Sequence, residues 1–310
     1  MPMILRFGAP SHVMTSDDHF ILQKDIDYLN DWATRNKMKF HPQKCKVVSL
    51  CSRPSPLGDR SSLGIFIFPF SQHHYTIGGA PLAYADSEKD LGILMNPSFS
   101  FNDHHEAVLS KANQQFGMVK RNCNFVNDVR RKRTLYLTLV RSQFEHCSQV
   151  WRPTSKTSLE KFDNFQKKCI KWILSEEEFS YHSFDCYVRK CKQADILPMS
   201  SRFELNDLIL FHKIIHNYIP TTLPSYLEIF DGNSRLRSTH LDELSYVSKV
   251  IPKSSTTYLL DKSFFYRTHS LWNKLPLEMR SVKSNSLFRT KLESHLWHCL
   301  IPSGDNTEVT

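Results

Sequence analysis

The sequence has no Cys-x-x-Cys pair and no long apolar run, and each absence excludes a class of protein. Its eight cysteines are scattered, whereas structural zinc sites usually draw ligands from closely spaced pairs. A cluster of His295, His298 and Cys299 lacks a complementary pair elsewhere, so we expect reduced, mostly buried thiols and no cofactor. No segment approaches the ~20 apolar residues of a membrane-spanning helix, and no basic region with an apolar core marks a secretory signal. We expect a soluble intracellular protein, either nuclear or cytoplasmic.

Positive charge is concentrated in the middle of the chain. The 310 residues carry a net charge of +9. The segment from Lys111 to Lys171 contains fourteen basic residues and four acids, so it holds the whole excess. Such a density of cations favours a polyanion, above all a phosphate backbone whose counterions are released on binding. A solvated helix face is the alternative, since it explains most runs of charge.

The first third of the chain has the pattern of a small α+β unit. Ser16 is a suitable N-cap for a helix that ends near Asn36. Apolar residues recur within it at helical spacing, namely Leu22, Ile26, Leu29 and Ala33. The stretch "MKFHPQKCKVVSLCS" predicts two short strands on either side of a turn at His41-Pro42, and "HHYTIGGAPLAYA" predicts a hairpin that turns at the glycine pair.

Beyond Asn96 the apolar residues take the spacing of helices. Three stripes predict three helices of a bundle with the basic residues on their outer faces. The first stripe comprises Val108, Ala112, Phe116 and Val119. The second comprises Leu135, Leu139 and the neighbouring Tyr136, Val140 and Phe144, and the third comprises Phe162, Phe165, Cys169, Trp172 and Ile173. A fourth helix stops at Pro220 and carries His212 and His216, and a last helix spans about 286 to 300. Because Lys213 stands where a zinc protease would need Glu, these histidines are interpreted as ordinary surface or interface residues.

Four successive segments resemble, in the correct order, the C-terminal part of jockey-like non-LTR (LINE-type) retrotransposon reverse transcriptases. They are "LQKDIDYLNDWATRNKMKFHPQKCKVVSL", "EKDLGILMNPSFSFNDHHEAVLSKANQQFGMVKRN", "LYLTLVRSQFEHCSQVWRPTSKTSLEKFDNFQKKCIKWIL" and "RTHSLWNKLPLEMRSVKSNSLFRTKLESHLW". The resemblance implies a mainly α fold in three parts. Residues 1–95 would be a truncated palm remnant with motif D and the following hairpin, residues 96–200 a basic thumb-like helical bundle, and residues 201–310 a C-terminal helical region.

The Tyr-Ala-Asp at residues 84–86 looks like the start of the tetrad that holds catalytic magnesium in this family. In the family, however, the tetrad precedes the helix that here begins near Ser16, and Ser87 replaces the second Asp. Two-metal phosphoryl transfer needs several carboxylates around the metal ions. Asp17 and Asp18 lie nearer the family position, but no hydrophobic strand presents them, and they suit a helix N-terminus. We expect no catalytic residue and no magnesium site.

One residue of motif D has a counterpart in this sequence. Lys44 aligns with a lysine that the family is thought to use near the leaving pyrophosphate. Without metal-binding carboxylates a proton donor would have nothing to assist. A surface lysine on a turn is the alternative interpretation of Lys44.

The resemblance and the charge together give three hypotheses of function. The first is a fragment of a retrotransposon RNA-directed DNA polymerase that lacks the catalytic Asp motifs and is inactive. The second is a module that binds RNA or an RNA–DNA duplex through backbone contacts, independently of sequence; no membrane or small-molecule partner is expected. The third is a helical scaffold or the product of a translated pseudogene. The predicted nucleic-acid-binding residues are Lys120, Arg121, Arg130, Arg131, Lys132, Arg133, Arg141, Lys167, Lys168 and Lys171.

Overall fold

The computed structural model describes residues 16–48, 74–96, 99–176, 183–230, 242–248 and 263–301. Helices predominate among them, so the predicted mainly α class is confirmed. The chain divides into two compact units, residues 1–101 and residues 102–310. The division into three parts stays a prediction, and helix Met199–Ile215 spans its second boundary.

The first unit contains one long helix and several short strands. The helix α1 is Ser16–Arg35. The strands are β1 Lys46–Val47, β2 Thr76–Ile77, β3 Ala80–Pro81, β4 Ala83–Tyr84, β5 Glu88–Asp90 and β6 Ile93–Met95. Strands β2 and β3 are antiparallel, as are β5 and β6, whereas β1 and β4 run parallel.

Helix α1 packs against the hairpin of β2 and β3. Ala33 and Ile77 are buried, and the amide of Gln23 exchanges two hydrogen bonds of 2.9 Å with the backbone of Thr76. The hairpin turns at Gly78 and Gly79, whose φ angles of 56° and 79° are those that glycine adopts without strain. Both the helix and the glycine turn confirm the sequence predictions.

The predicted strand before His41 is absent, so this prediction is wrong. Lys37 has a left-handed φ of 58°, and the Met38 N–H donates to the Ala33 carbonyl across 2.8 Å. This bond is typical of a Schellman end, which satisfies the last carbonyls of a helix and directs the chain away from it. A 3₁₀ turn at Pro42–Lys44 follows, and the second predicted strand is present as β1.

The described residues of the second unit lie mostly in helices. They are α2 Asn102–Asn122, α3 Val129–Leu135, α4 Ser142–Glu145, α5 Ser148–Trp151, α6 Lys156–Leu174, α7 Phe184–Gln193, α8 Met199–Ile215, α9 Phe264–Asn273, α10 Leu277–Arg280 and α11 Asn285–Leu300. A π-helix, Tyr136–Arg141, continues α3 into α4. The antiparallel strands β7 Leu227–Ile229 and β8 Tyr246–Ser248 complete the unit.

Aromatic side chains form the core where α4, α5, α6 and α8 meet. Trp151 stacks on Phe162 with ring centroids 6.0 Å apart. Phe203 meets both rings edge-on, and Phe144 packs edge-on against Phe162 and Phe165 at 5.4 Å. Such edge-on pairs stabilise a core beyond the area they bury. Phe144 of the second predicted stripe therefore faces Phe162 and Phe165 of the third, whereas Leu139 of the second stripe is exposed.

A second buried group joins α8 to α9 and α11. His212 is fully buried, and its ring stacks on that of Phe288 with the two ring centroids 4.2 Å apart. Its Nε2 lies 2.7 Å from the carbonyl oxygen of Val282, and Asn285 Nδ2 lies 3.3 Å from its Nδ1. The predicted interface role of this histidine is therefore confirmed, because His212 connects two helices.

A buried carboxylate fixes α5, α8 and α9 to one another. Asp207, with 1% of its side chain exposed, lies 2.8 Å from Arg152 Nη1. It also accepts from Arg267 Nε at 2.8 Å, and the Arg267 guanidinium donates further to the carbonyl of Gln149. A buried charge of this kind is tolerated only when it is paired and hydrogen-bonded.

Candidate nucleic-acid interface

Five of the ten predicted binding residues lie exposed on the second unit. Lys120 and Arg121 end helix α2, Arg130 and Arg131 begin α3, and Lys168 lies on α6. Within the described ranges, none of these five side chains forms an ion pair. For these residues the predicted position on the outer face of the bundle is confirmed, and their role in binding stays a prediction.

Lys132 does not lie on an outer face, so this part of the prediction is wrong. It is only 6% exposed, because its ammonium group lies against the C-terminal end of α6. Nζ donates to the carbonyl of Trp172 at 3.1 Å and to Ser175 Oγ at 2.7 Å. A cation at this end of a helix interacts favourably with the partial negative charge of the last carbonyls. Lys132 is therefore engaged in holding α3 to α6.

Arg133 and Arg141 are also held by contacts within the unit. Arg133 donates to both the carbonyl and the carboxylate of Asp195, each at 2.7 Å. Arg141 Nε lies 3.1 Å from Glu145 Oε1, a carboxylate that Arg202 contacts at 2.7 Å. Burial, together with the adjacent Arg202, lowers the pKa of Arg141. Neither arginine is free to approach a ligand without giving up an existing partner.

The remaining two predicted residues lie on α6 and are half-buried. Lys167 donates to Asn164 Oδ1 at 3.2 Å, and its Nζ lies 5.3 Å from the centre of the Tyr187 ring. Lys171 lies in the last turn of the helix. Of the three predicted binding residues on α6, only Lys168 is therefore exposed.

Lys120 and Arg121 of α2 and Arg130 and Arg131 of α3 flank a single short turn. Its ends are joined by a 3.1 Å hydrogen bond from the Val126 N–H to the Cys123 carbonyl. Asp128 then caps α3 by accepting from the Arg131 N–H at 2.7 Å. Phe125 projects from this turn with 77% of its surface exposed. The sequence analysis missed Phe125, although an aromatic residue between polar residues in a short interhelical connection would have signalled it.

The residues considered for catalysis lie on separate elements of the first unit. Asp86 is exposed just after β4, and Lys44 is exposed at the end of the 3₁₀ turn. Asp17 and Asp18 lie in the first turn of α1, as predicted. Across the described part of the chain, no three His, Cys, Asp or Glu side chains are grouped so as to hold a metal ion.

Searches against models of protein families, curated protein sequences and solved structures find no match to this chain. The resemblance to reverse transcriptases therefore rests on the four sequence segments alone. Among the described residues, no helix is both long and apolar enough to cross a membrane.

Proposed function

We propose that the second unit binds the phosphate backbone of an RNA or RNA–DNA duplex, as the thumb and C-terminal region of a jockey-like reverse transcriptase would. The observation that carries this proposal is the group of exposed cations at the junction of α2 and α3. Lys120, Arg121, Arg130 and Arg131 remain without a carboxylate partner among the described residues, whereas Arg133 and Arg141 have one. Charges left unpaired in this way are available to phosphates.

The charge balance around this junction supports a polyanionic ligand. Between Lys111 and Arg131 the sequence has one acid, Asp128, and its carboxylate is engaged in capping α3. Arg130 and Arg131 lie in the first turn of α3, where the helix dipole favours anions and gives these two cations no stabilisation. Binding of phosphates would relieve the repulsion among these cations and release counterions from the nucleic acid.

We further propose that these 310 residues do not polymerise nucleotides. The only adjacent pair of aspartates in the sequence, Asp17 and Asp18, lies in the first turn of α1, and a lone Asp86 cannot hold two metal ions. The proposed role is to hold nucleic acid rather than to extend it.

A salt series of filter-binding titrations with a blunt RNA–DNA hybrid tests the duplex proposal. The variant carries four changes: Lys120→Gln, Arg121→Gln, Arg130→Gln and Arg131→Gln. We expect its affinity to be lower and its log–log salt slope to be shallower by about 0.9 for each lost phosphate contact. Glutamine is a comparable helix former, so helical content should not change.

A matched control removes four exposed cations from another part of the same unit. It carries Lys274→Gln, Lys283→Gln, Arg289→Gln and Lys291→Gln. This control has the same net charge as the test variant and should keep the parental slope. Identical curves for the two variants, or no binding by the parent at low salt, would refute the proposal and favour a solvated surface on a scaffold.

A further inference from the structure

The turn between α2 and α3 presents an aromatic ring to solvent at a fixed place. Cys123 to Val126 form a hydrogen-bonded turn, and Phe125 stands at its third position with 77% exposure. The turn is anchored on both sides, because the Cys123 N–H donates to the Val119 carbonyl and Asp128 caps α3. Little conformational freedom of the backbone therefore remains to be lost when a ligand binds.

The surroundings of this ring are polar and cationic. Asn124 and Asn127 are exposed, and two exposed cations precede the turn while two follow it. An exposed ring beside several phosphate-binding groups is the combination with which proteins hold single-stranded nucleic acids. A base in a duplex offers no free face to such a ring except at an end, whereas every unpaired base does.

We infer that the turn at Cys123–Val126 binds single-stranded nucleic acid, with an unpaired base stacked on Phe125 and the neighbouring phosphates held by Lys120, Arg121, Arg130 and Arg131. This inference deepens the proposed function and rests on it for the phosphate contacts. It adds a preference for a single-stranded extension next to a duplex over a blunt duplex.

The test measures fluorescence anisotropy with three labelled probes across a salt series. The probes are a short single-stranded RNA, a blunt RNA–DNA hybrid, and the same hybrid with a single-stranded extension. We expect Phe125→Ala to lower affinity for the single strand and for the extended hybrid by about 5- to 150-fold, the range of one base stacked on an aromatic ring. Its affinity for the blunt hybrid should stay unchanged. Its salt slope should also stay parental, because stacking releases no counterions.

Two further variants separate stacking from apolar contact and from general effects. Phe125→Leu keeps an apolar side chain without the ring and should lose affinity as the alanine variant does. Phe184→Ala removes another exposed ring, 54% exposed on α7, and should bind all three probes as the parent does.

The possible outcomes distinguish the two proposals. Parental affinity of Phe125→Ala for the single strand would overturn the inference, and so would an equal loss on the blunt hybrid or full binding by Phe125→Leu. If the quadruple Gln variant then still loses duplex affinity, the proposed function stands without the inference. A parent that binds only the single strand, through Phe125, would support the inference and refute duplex binding.

Discussion

Replacing Lys132 by methionine tests whether this lysine serves the fold rather than nucleic acid. Methionine keeps the length of the apolar stem and removes the ammonium group. The change deletes a hydrogen bond to the Trp172 carbonyl and another to Ser175 Oγ, and it removes the cation that Lys132 places at the end of α6. A hydrogen bond from a charged donor contributes about 1.5–3 kcal/mol, and a cation at a helix C-terminus about 0.3–1 kcal/mol.

Relief of the cost of burying the ammonium group offsets part of this loss. We therefore expect the free energy of unfolding to fall by about 2 kcal/mol. For a unit of this size, such a change lowers the midpoint of thermal unfolding by about 4–8 °C. Circular dichroism at the helix band measures the midpoint, because the second unit holds nearly all of the described helices.

Arg131→Met is the matched control for this experiment. Arg131 stands next to Lys132 and carries the same charge, but it is exposed, so its replacement should change the stability by less than about 0.5 kcal/mol. In the salt series of binding titrations the effects should be reversed: Arg131→Met should make the log–log salt slope shallower, and Lys132→Met should leave it unchanged. Equal thermal midpoints for the two variants would refute the role assigned to Lys132.

Asp207, His212 and Asp86 each give a further prediction. Asp207→Ala should lower the free energy of unfolding by about 3 kcal/mol, since it leaves Arg152 and Arg267 without their buried partner; a urea midpoint within error of the parent would contradict this. Burial, together with neighbouring His216, lowers the pKa of His212 against the opposing effect of its bond to Val282, so the folded state binds a proton less readily than the unfolded state. The stability that neutral His212 contributes should thus be fully present above about pH 6.5, the pKa of histidine in the unfolded chain, and should fall as the pH drops below that value. Equal urea midpoints at about one pH unit above and one pH unit below this pKa would show that His212 does not contribute. With a primed RNA template, all four dNTPs and Mg²⁺ or Mn²⁺, the protein should extend nothing above background, and extension that is abolished by Asp86→Ala would restore the excluded active site.

Local patterns in the sequence predicted the local structure well. Four apolar residues at helical spacing and an acidic first turn identified α1, and the glycine pair identified the hairpin. These features depend on neighbours within a few residues, so the sequence displays them directly. The strand predicted before His41 failed because the left-handed Lys37 that ends α1 ties Met38 back to the helix, and no strand pattern records such a bond.

The partners of the basic residues could not be predicted from the sequence. Lys132 meets the end of α6 forty residues further on, and Arg133 meets Asp195 across 62 residues. A run of four adjacent cations looks uniform, yet the helix turns each residue by about 100° relative to the one before. Lys132 is consequently buried against α6 and Arg133 pairs with Asp195 at the surface, whereas Arg130 and Arg131 are exposed without an ion pair among the described residues.

The π-helix at Tyr136–Arg141 has a consequence for the tolerance of this segment to insertion and deletion. A π-turn amounts to one residue inserted into an α-helix, so removal of a single exposed residue such as Thr138 would restore regular α-helical winding. Because the six residues of the π-helix turn the chain about as far as five residues of a regular α-helix do, the side chains after the deletion would keep their directions, and Phe144 would keep the edge-on contacts it makes with Phe162 and Phe165. The π-turn therefore makes this segment tolerant of one deletion, whereas the loss of a residue from a regular α-helix would rotate every later side chain by about 100°.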